Sequence, residues 1–580
     1  MRKKTLLFFH RFASLQIRLI LLLISTFLLL EGCKKDNLNY SYDYRYNTEA
    51  RKASNIRLIN FSEKYQLVVN GDSLTNFWTK PTRPGFIPPE ETTAPATPYF
   101  PKNGLFSRVW EFPQNLFKPD GTAHIKTTTV FQQADLKNEV NIVVKEELDR
   151  PKDYYFLFNE KNLVEWDKPV VEVARDITSP RQPDHFKIRI INFAAKTSTM
   201  EMENLVQPLT LTFADGTPVN TETSNIPVGT VSSYVEIPYG TYQFKILTND
   251  GRQVPMEGQE AGIDPKTSTM DRSDGSKGSG IVYSELHTYQ PGGIYTIVIH
   301  PRAITYMISN DQASGYQNVF NRISDISEPV NQTYARVQLA NAFAEGNLSL
   351  QVKDRQIEGS VSFGKATAYQ NIIHGVHDLQ VYNGAEKLAD VKAQLRPGGN
   401  YTLWVFPDAS GALKTQLISN NLSGTWYTGT GTSGNNTTED RRKIAFRFDI
   451  RCLNFCPDIP ELTFTDDQGV PMGRKFDQQS ASHLAFNMPQ ISEPYIRLVY
   501  DQPGPYLYYA YASSSNKLPG DWLQEITGLS NKALIANEKL YTAIGRDVPT
   551  HEPGVYTLAL VGRYKQGNSN AKIMLIKHTK

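Results

Sequence analysis

Ile56-Arg57-Leu58-Ile59-Asn60-Phe61 decides how this chain is read, because the same six-residue phrase returns along it. It recurs as Ile188-Arg189-Ile190-Ile191-Asn192-Phe193, Val337-Gln338-Leu339-Ala340-Asn341-Ala342 and Ile450-Arg451-Cys452-Leu453-Asn454-Phe455. Each copy reads as a buried strand stopped by Asn, a residue that tolerates left-handed backbone and bonds its own main chain in turns. Recurrence at a wide period marks tandem structural units.

A second phrase closes the units: Pro291-Gly292-Gly293-Ile294-Tyr295-Thr296, Pro397-Gly398-Gly399-Asn400-Tyr401-Thr402 and Pro553-Gly554-Val555-Tyr556-Thr557. A Pro-Gly turn feeds a strand that begins with Tyr. That placement suits a tyrosine corner, in which the hydroxyl bonds back to upstream backbone, with simple ring packing as the alternative. The first unit offers only Pro151-Lys152-Asp153-Tyr154-Tyr155-Phe156. Between the two phrases lies a Gly turn and an alternating strand, seen in Ile237-Pro238-Tyr239-Gly240-Thr241-Tyr242 and Ile373-His374-Gly375-Val376-His377.

This order of phrases resembles domain of unknown function 4397, an immunoglobulin-like β-sandwich repeat of bacterial exported proteins. The third unit matches best, the second is enlarged, and the first and fourth keep mainly the edges. The resemblance implies a sandwich fold and an envelope location, and it brings no catalytic residues.

Composition points the same way. With 580 residues the chain exceeds one ordinary core. Its 30 Tyr, 28 Phe, 38 Gly and 34 Pro suit short strands and turns. The expected class is all-β, a tandem of antiparallel immunoglobulin-like sandwiches. Sixty-one basic and 59 acidic side chains leave a formal charge of +2 with no basic stripe, which speaks against nucleic acid.

Punctuation sets the boundaries: a signal peptide over 1–32, a tether over 33–53, repeats over 54–180, 184–330, 334–423 and 441–580, and a flexible linker over 424–440. Repeats 1 and 4 are divergent. Seven prolines between Pro81 and Pro101 force an extended excursion in repeat 1, and 265–280 reads as a surface loop of repeat 2. Opening Ile188 and closing Tyr295 stand 107 positions apart, against 64 for Val337 and Tyr401, so insertions enlarge a smaller common sandwich. Such loops are where binding usually resides.

At the N-terminus, Arg2, Lys3, Lys4, Arg11 and Arg18 precede an apolar run from Leu19 to Leu30, the pattern of an export signal. The run is shorter than the ~18–20 residues of a spanning helix. It ends in Leu30-Glu31-Gly32-Cys33, similar to the lipobox of bacterial lipoproteins. Lipid on the Cys33 thiol would anchor the chain to a membrane, several acyl chains holding far better than one. The expected location is the outer membrane, on its periplasmic or surface face. Tyr40, Tyr42, Tyr44 and Tyr46 then alternate along the tether.

Cys452 and Cys456 are the remaining cysteines. A disulfide is permitted in an exported compartment, but four extended steps cover ~13 Å, beyond the ~7 Å Cα limit for a bridge. Buried free thiols are the alternative. Neither a metal nor a cofactor is expected.

Catalytic readings are weak. Asn70-Gly71-Asp72-Ser73-Leu74 contains the Gly-Asp-Ser-Leu string of a serine hydrolase family, without that family's Asp-x-x-His or a strand-helix alternation. A hydroxyl lacking a base is a poor nucleophile, and Asn70-Gly71 is more simply a hairpin turn. His374 and His377 occupy the places of Tyr239 and Tyr242, which makes them turn residues before metal ligands. Glu90-Glu91, Glu146-Glu147 and Asp466-Asp467 have no identifiable catalytic partners. Tyr506, Tyr508, Tyr509, Tyr511 and Trp522 form either a stacking platform for sugar rings or part of the core of repeat 4.

The functional expectation is a non-enzymatic envelope lipoprotein that binds or scaffolds through sandwich surfaces, its partners a membrane and an envelope protein or glycan. A glycan-binding protein is the alternative and a hydrolase the lesser one. Expressed with its own leader, the Cys33→Ser protein is expected to lose palmitate labelling and leave the membrane fraction. Retained label would contradict the anchor.

Overall fold

The computed structural model describes residues 52–76 without 63, 96–128 without 102 and 103, 139–159, 168–197, 205–256, 262–264, 269–271 and 284–308. It also describes 311–352, 355–422, 448–473, 478–490, 494–497, 507–543, 548–549 and 551–580 without 566 and 568. Cys33, the Tyr40–Tyr46 run and the 424–440 linker lie outside these residues. The described residues fall into two compact bodies, one of 52–54, 64–107 and 113–145, the other of 55–63, 108–112 and 146–580.

The smaller body carries an antiparallel sheet ordered Asp72–Ser73, Gln66–Val69, Thr122–Thr128, Val140–Lys145. Alternation buries Leu67, Val69, Ala123, Ile125 and Val144 on one face. Asn70 and Gly71 have φ of 53° and 99°, as a tight hairpin turn requires at both central positions. The Ser73 hydroxyl donates to the Thr75 carbonyl at 2.9 Å, and the hydrolase-like string forms a hairpin.

The fold is all-β, and among the described residues the one α-helix is the single turn Lys539–Thr542. The opening strands are Ala53–Asn60, of which 55–60 belong to the larger body, His185–Asn192, Tyr334–Asn341 and Phe448–Phe455. Each pairs in parallel with its closing strand, respectively Lys152–Phe156, Ile294–Ile308, Asn400–Pro407 and Gly554–Val561. The expected antiparallel sandwich therefore has a parallel pair at the centre of one sheet in every repeat. A parallel partner needs a long crossover, so the chain builds the rest of the repeat before it returns. Repeat 3 encloses Val337, Leu339, Leu350, Val381, Leu395 and Leu403 as its core. Repeat 2 extends its closing strand into a hairpin with Asp311–Ser324.

Both sequence phrases have a chemical reason. Asn192, Asn341 and Asn454 each accept from the backbone N–H two residues on and give their amide to two carbonyls. The side chain does this work, and none of the three has left-handed backbone. The Tyr295 and Tyr401 hydroxyls accept from the backbone N–H of Gln290 and Arg396, both at 3.0 Å, and Tyr556 bonds back to the Glu552 carbonyl at 3.0 Å. These are tyrosine corners. A Cβ on Gly293, Gly399 or Gly554 would meet the ring of the Tyr two places later at 2.4–2.6 Å, which explains those glycines. In repeat 1 the register puts Lys152 at the corner position, so Tyr154 is not the counterpart of Tyr295.

Cys452 and Cys456 are free and buried, so the disulfide alternative does not hold. Cys452 belongs to the extended strand Phe448–Phe455 and Cys456 follows it, which keeps them apart as the strand rise demands. Burial pushes the Cys456 thiol up to about 11.

The second face of the opening-strand sheets is also buried, because repeats pack in pairs. Ile59, Tyr155 and Leu157 of repeat 1 meet Ile191, Phe193 and Val298 of repeat 2. Ala340, Trp404 and Phe406 of repeat 3 meet Leu453, Phe455 and Ala559 of repeat 4. Both seams carry polar groups at equivalent places. On the opening strand these are Arg57, Arg189, Gln338 and Arg451, in register with Asp153, Thr296, Thr402 and Thr557 of the closing strands. On the last strand or its end they are Arg175, Asp325, Asn420 and His578, as the backbone pairing shows.

In the first seam Arg57 binds Asp153 through two nitrogens at 2.9 and 2.6 Å and reaches across to Asp325 at 3.0 Å. Arg189 crosses the other way to the Ala174 carbonyl at 2.8 Å. In the second seam Gln338 contacts His578 at 3.1 Å and Arg451 donates to Asn420 at 3.1 Å. Repeat 2 also touches repeats 3 and 4. Arg336 donates to Thr241 at 3.4 Å, and Lys245 pairs with Glu552 at 2.6 Å, both fully buried. Burial alone would raise the Glu552 carboxyl, but the Lys245 ammonium and the Tyr541 hydroxyl hold it below its usual range. Repeats 2, 3 and 4 are thus not the linear string that tandem repeats suggest.

His551 and His578 are buried in repeat 4. Burial lowers His551 to about 4, and burial with the nearby Arg451 and Arg336 charges lowers His578 to about 3. Both are neutral when folded, whereas the unfolded chain takes up protons near 6.5. Unfolding is therefore favoured as pH falls from about 6.5 toward 4, each unit of separation contributing about 1.4 kcal/mol. The urea midpoint is expected to drop between pH 7 and pH 5, and less so in His551→Leu. An unchanged midpoint would contradict the buried neutral imidazoles.

Candidate functional site

The candidate site is the outer face of the second sheet in repeat 4. Its strands run Leu484–Ala485, Glu461–Thr465, Leu507–Ser514, Lys517–Trp522, with Leu529–Ser530 also paired to Leu507–Ser514. Alternation divides Leu507–Ser514 between two surfaces. Tyr508 and Ala510 point inward and join the core with Phe464 and Leu462. Leu507, Tyr509 and Tyr511 point outward.

Trp522 arrives beside them from the neighbouring strand, in register with Tyr511, and is 48 % exposed. An irregularity in this pairing sets the register, with Ala512 opposite Asp521 but Ser514 opposite Lys517. Bulges of this kind re-aim side chains. Gly520 fits it through φ of 108° and an approach so close that a Cβ would lie 2.0 Å from the Ala512 carbonyl oxygen. The Tyr509 and Trp522 rings meet edge to face, centroids 5.7 Å apart. Thr463 and Thr465, in register with Tyr511 and Tyr509, are fully buried beneath this surface. The result is an aromatic face on a sheet, Trp522 half-exposed and Tyr509 and Tyr511 partly buried, with Lys517 and Asp521 paired at its rim.

Of the five aromatic residues expected to act together, the structure gathers Tyr509, Tyr511 and Trp522. Tyr508 is excluded because strand parity sends it into the core, and Tyr506 lies outside the described residues. Leu507, 40 % exposed, joins the face without having been singled out. Its place follows from its parity with Tyr509.

Other candidates dissolve into structure. His374 is exposed while His377 is buried, with Nε2 2.8 Å from the Ile373 carbonyl. Tyr242 makes the same contact to the Pro238 carbonyl at 2.7 Å, so the two residues brace equivalent turns. Among the described residues no three His, Cys, Asp or Glu side chains gather as a metal centre. A shallow groove of about 350 Å³ on the smaller body is lined by Val68, His124, Lys126, Asn141 and Val143.

No protein-family model matches the chain, and no curated protein matches it. One solved structure to which it is similar is the product complex of a multi-modular glycogen-degrading pneumococcal virulence factor, SpuA, at 8 % identity and a TM-score of 0.10. That similarity covers 58 % of this chain and 37 % of that one.

Proposed function

We propose that this chain is a lipid-anchored, non-enzymatic protein of the bacterial cell envelope, and that the outer face of repeat 4 binds glycan through Tyr509, Tyr511 and Trp522. The observation that carries the glycan reading is the half-exposed Trp522 beside two outward tyrosines on a rigid sheet. An aromatic ring that is not needed in a core and remains open to water is the surface on which the apolar face of a sugar ring stacks, and exposed apolar patches of this kind mark binding sites. Protein recognition through the same face is the competing reading, since tyrosine and tryptophan also anchor protein interfaces. The lipobox-like Cys33 and the repeat resemblance support the envelope location.

A soluble form of residues 34–580, applied to a glycan array and to envelope extracts, separates these readings. Retention on a sugar class is expected, with Trp522→Ala weakening it about tenfold, or ~1.4 kcal/mol, while the urea midpoint stays near the parent value. A silent array beside one co-purifying envelope protein would overturn the glycan reading.

A further inference from the structure

The outer face of repeat 4 does not end at its aromatic rings. Strand Glu461–Thr465 runs beside Leu507–Ser514, with Thr463 opposite Tyr511 and Thr465 opposite Tyr509. Leu462 and Phe464 belong to the core, so strand parity puts Glu461 on the same outer side as Thr463. On the far side of this strand Leu462 pairs with Leu484 and Glu461 with Ala485, which brings His483 level with Thr463. The His483 backbone N–H donates to the Thr463 hydroxyl at 3.2 Å. His483, Thr463, Tyr511 and Trp522 thus form one row across four neighbouring segments, ~14 Å long at the ordinary strand spacing.

The row has two chemical ends. At one end stand Tyr511 and Trp522. At the other, His483 Nδ1 lies 3.1 Å from Glu461 Oε2, their side chains 40 % and 38 % exposed. The Tyr511 hydroxyl reaches the turn that follows Thr465, where a Cβ on Gly469 would lie 3.6 Å from it. Its ring therefore leans over strand Glu461–Thr465, and Thr463 and Thr465 are buried beneath. Among the residues of the five strands Lys517 is the one basic side chain, and it is paired with Asp521. A carboxylate offers about four acceptor sites, of which His483 takes one, and the exposure of Glu461 leaves others open to water. Hydroxyl donors bind a carboxylate more strongly than a neutral acceptor. Rings at one end and an open carboxylate at the other fit a ligand that is apolar on one side, rich in hydroxyl donors and free of negative charge.

Building on the glycan reading of this face, we propose that its ligand is an uncharged oligosaccharide laid across the strands. One sugar stacks on Tyr511 and Trp522, and the hydroxyls of a further sugar donate to Glu461. Glu461 sets specificity, because it accepts from neighbouring hydroxyls and repels acidic sugars. His483 is a positioning residue that holds the carboxylate.

The lipid-free chain of residues 34–580 is applied to an array of neutral oligosaccharides two to six units long, with oligogalacturonate and chitosan oligomers as the acidic and basic arms. Binders are then measured by calorimetry. Neutral sugars are expected to be retained and oligogalacturonate refused, with affinity rising from two units to longer chains before it levels off. Glu461→Gln is expected to weaken the longer neutral chains about tenfold, to erase the gain with length and to narrow the discrimination against oligogalacturonate. His483→Asn, which suits the left-handed φ of 51°, is expected to weaken the same chains by less. Both changes lie at exposed positions, so the urea midpoint is expected to stay near the parent value. Trp522→Ala is expected to weaken every length. Longer chains bound equally by Glu461→Gln and the parent, while Trp522→Ala still binds less, would overturn this inference and leave the stacking face standing. Preference of the parent for the acidic or the basic oligomer would overturn it as well. An array silent for every sugar would overturn both this inference and the glycan reading beneath it.

Discussion

Arg57, with Asp153 and Asp325 around it, is an ion cluster shut away from water between two β-sheets. A guanidinium in such a place is tolerated only when its charge and donors are met, since an isolated buried ion costs several kcal/mol. Arg57 meets one carboxylate from its own repeat and one from the next. The cluster is satisfied only when repeats 1 and 2 are face to face, and much of the larger body follows from that constraint. Opening strands must be buried on both faces, one toward their own sandwich and one toward a neighbour. Tyr155, Val298, Trp404 and Ala559 then occupy equivalent positions on the closing strands, filling the seams between the polar groups.

Much of this was legible in the sequence, for reasons that differ by element. The opening phrase has apolar residues at successive positions, which is how a strand buried on both faces reads. Its Asn and the Tyr of the closing phrase are visible because each must be one residue type to make its backbone bonds. The seam partners were not legible. Arg57, Arg189 and Arg451 look like polar interruptions of a strand, and only the register places them opposite Asp153, Thr296 and Thr557. The closing phrase misled in repeat 1, where Lys152 holds the corner position and Tyr155 serves the seam. Tyr508 could have been assigned from parity, since Tyr509 and Tyr511 cannot share its face. Leu507 escaped notice because a lone leucine carries no chemistry of its own.

The arrangement separates tasks. Sheets with a parallel pair bind repeats together and are closed to water. The second sheet of repeat 4 carries Tyr509, Tyr511 and Trp522 on its outer face, with Trp522 48 % exposed. Sandwich repeats that pair through one sheet and present the other offer a rigid support for recognition, which lowers the ordering entropy that binding would otherwise cost.

The pairing of repeats through the polar seam is the claim on which the account rests, and a double-mutant cycle between Arg57 and Asp325 tests it most directly. Arg57→Met, Asp325→Asn and the double variant would be unfolded in urea. Each single change is predicted to cost about 3 kcal/mol or more, and the double change to cost less than the sum by about 1 kcal/mol or more. Strictly additive losses would show that the two residues do not hold the repeats together and would contradict the account.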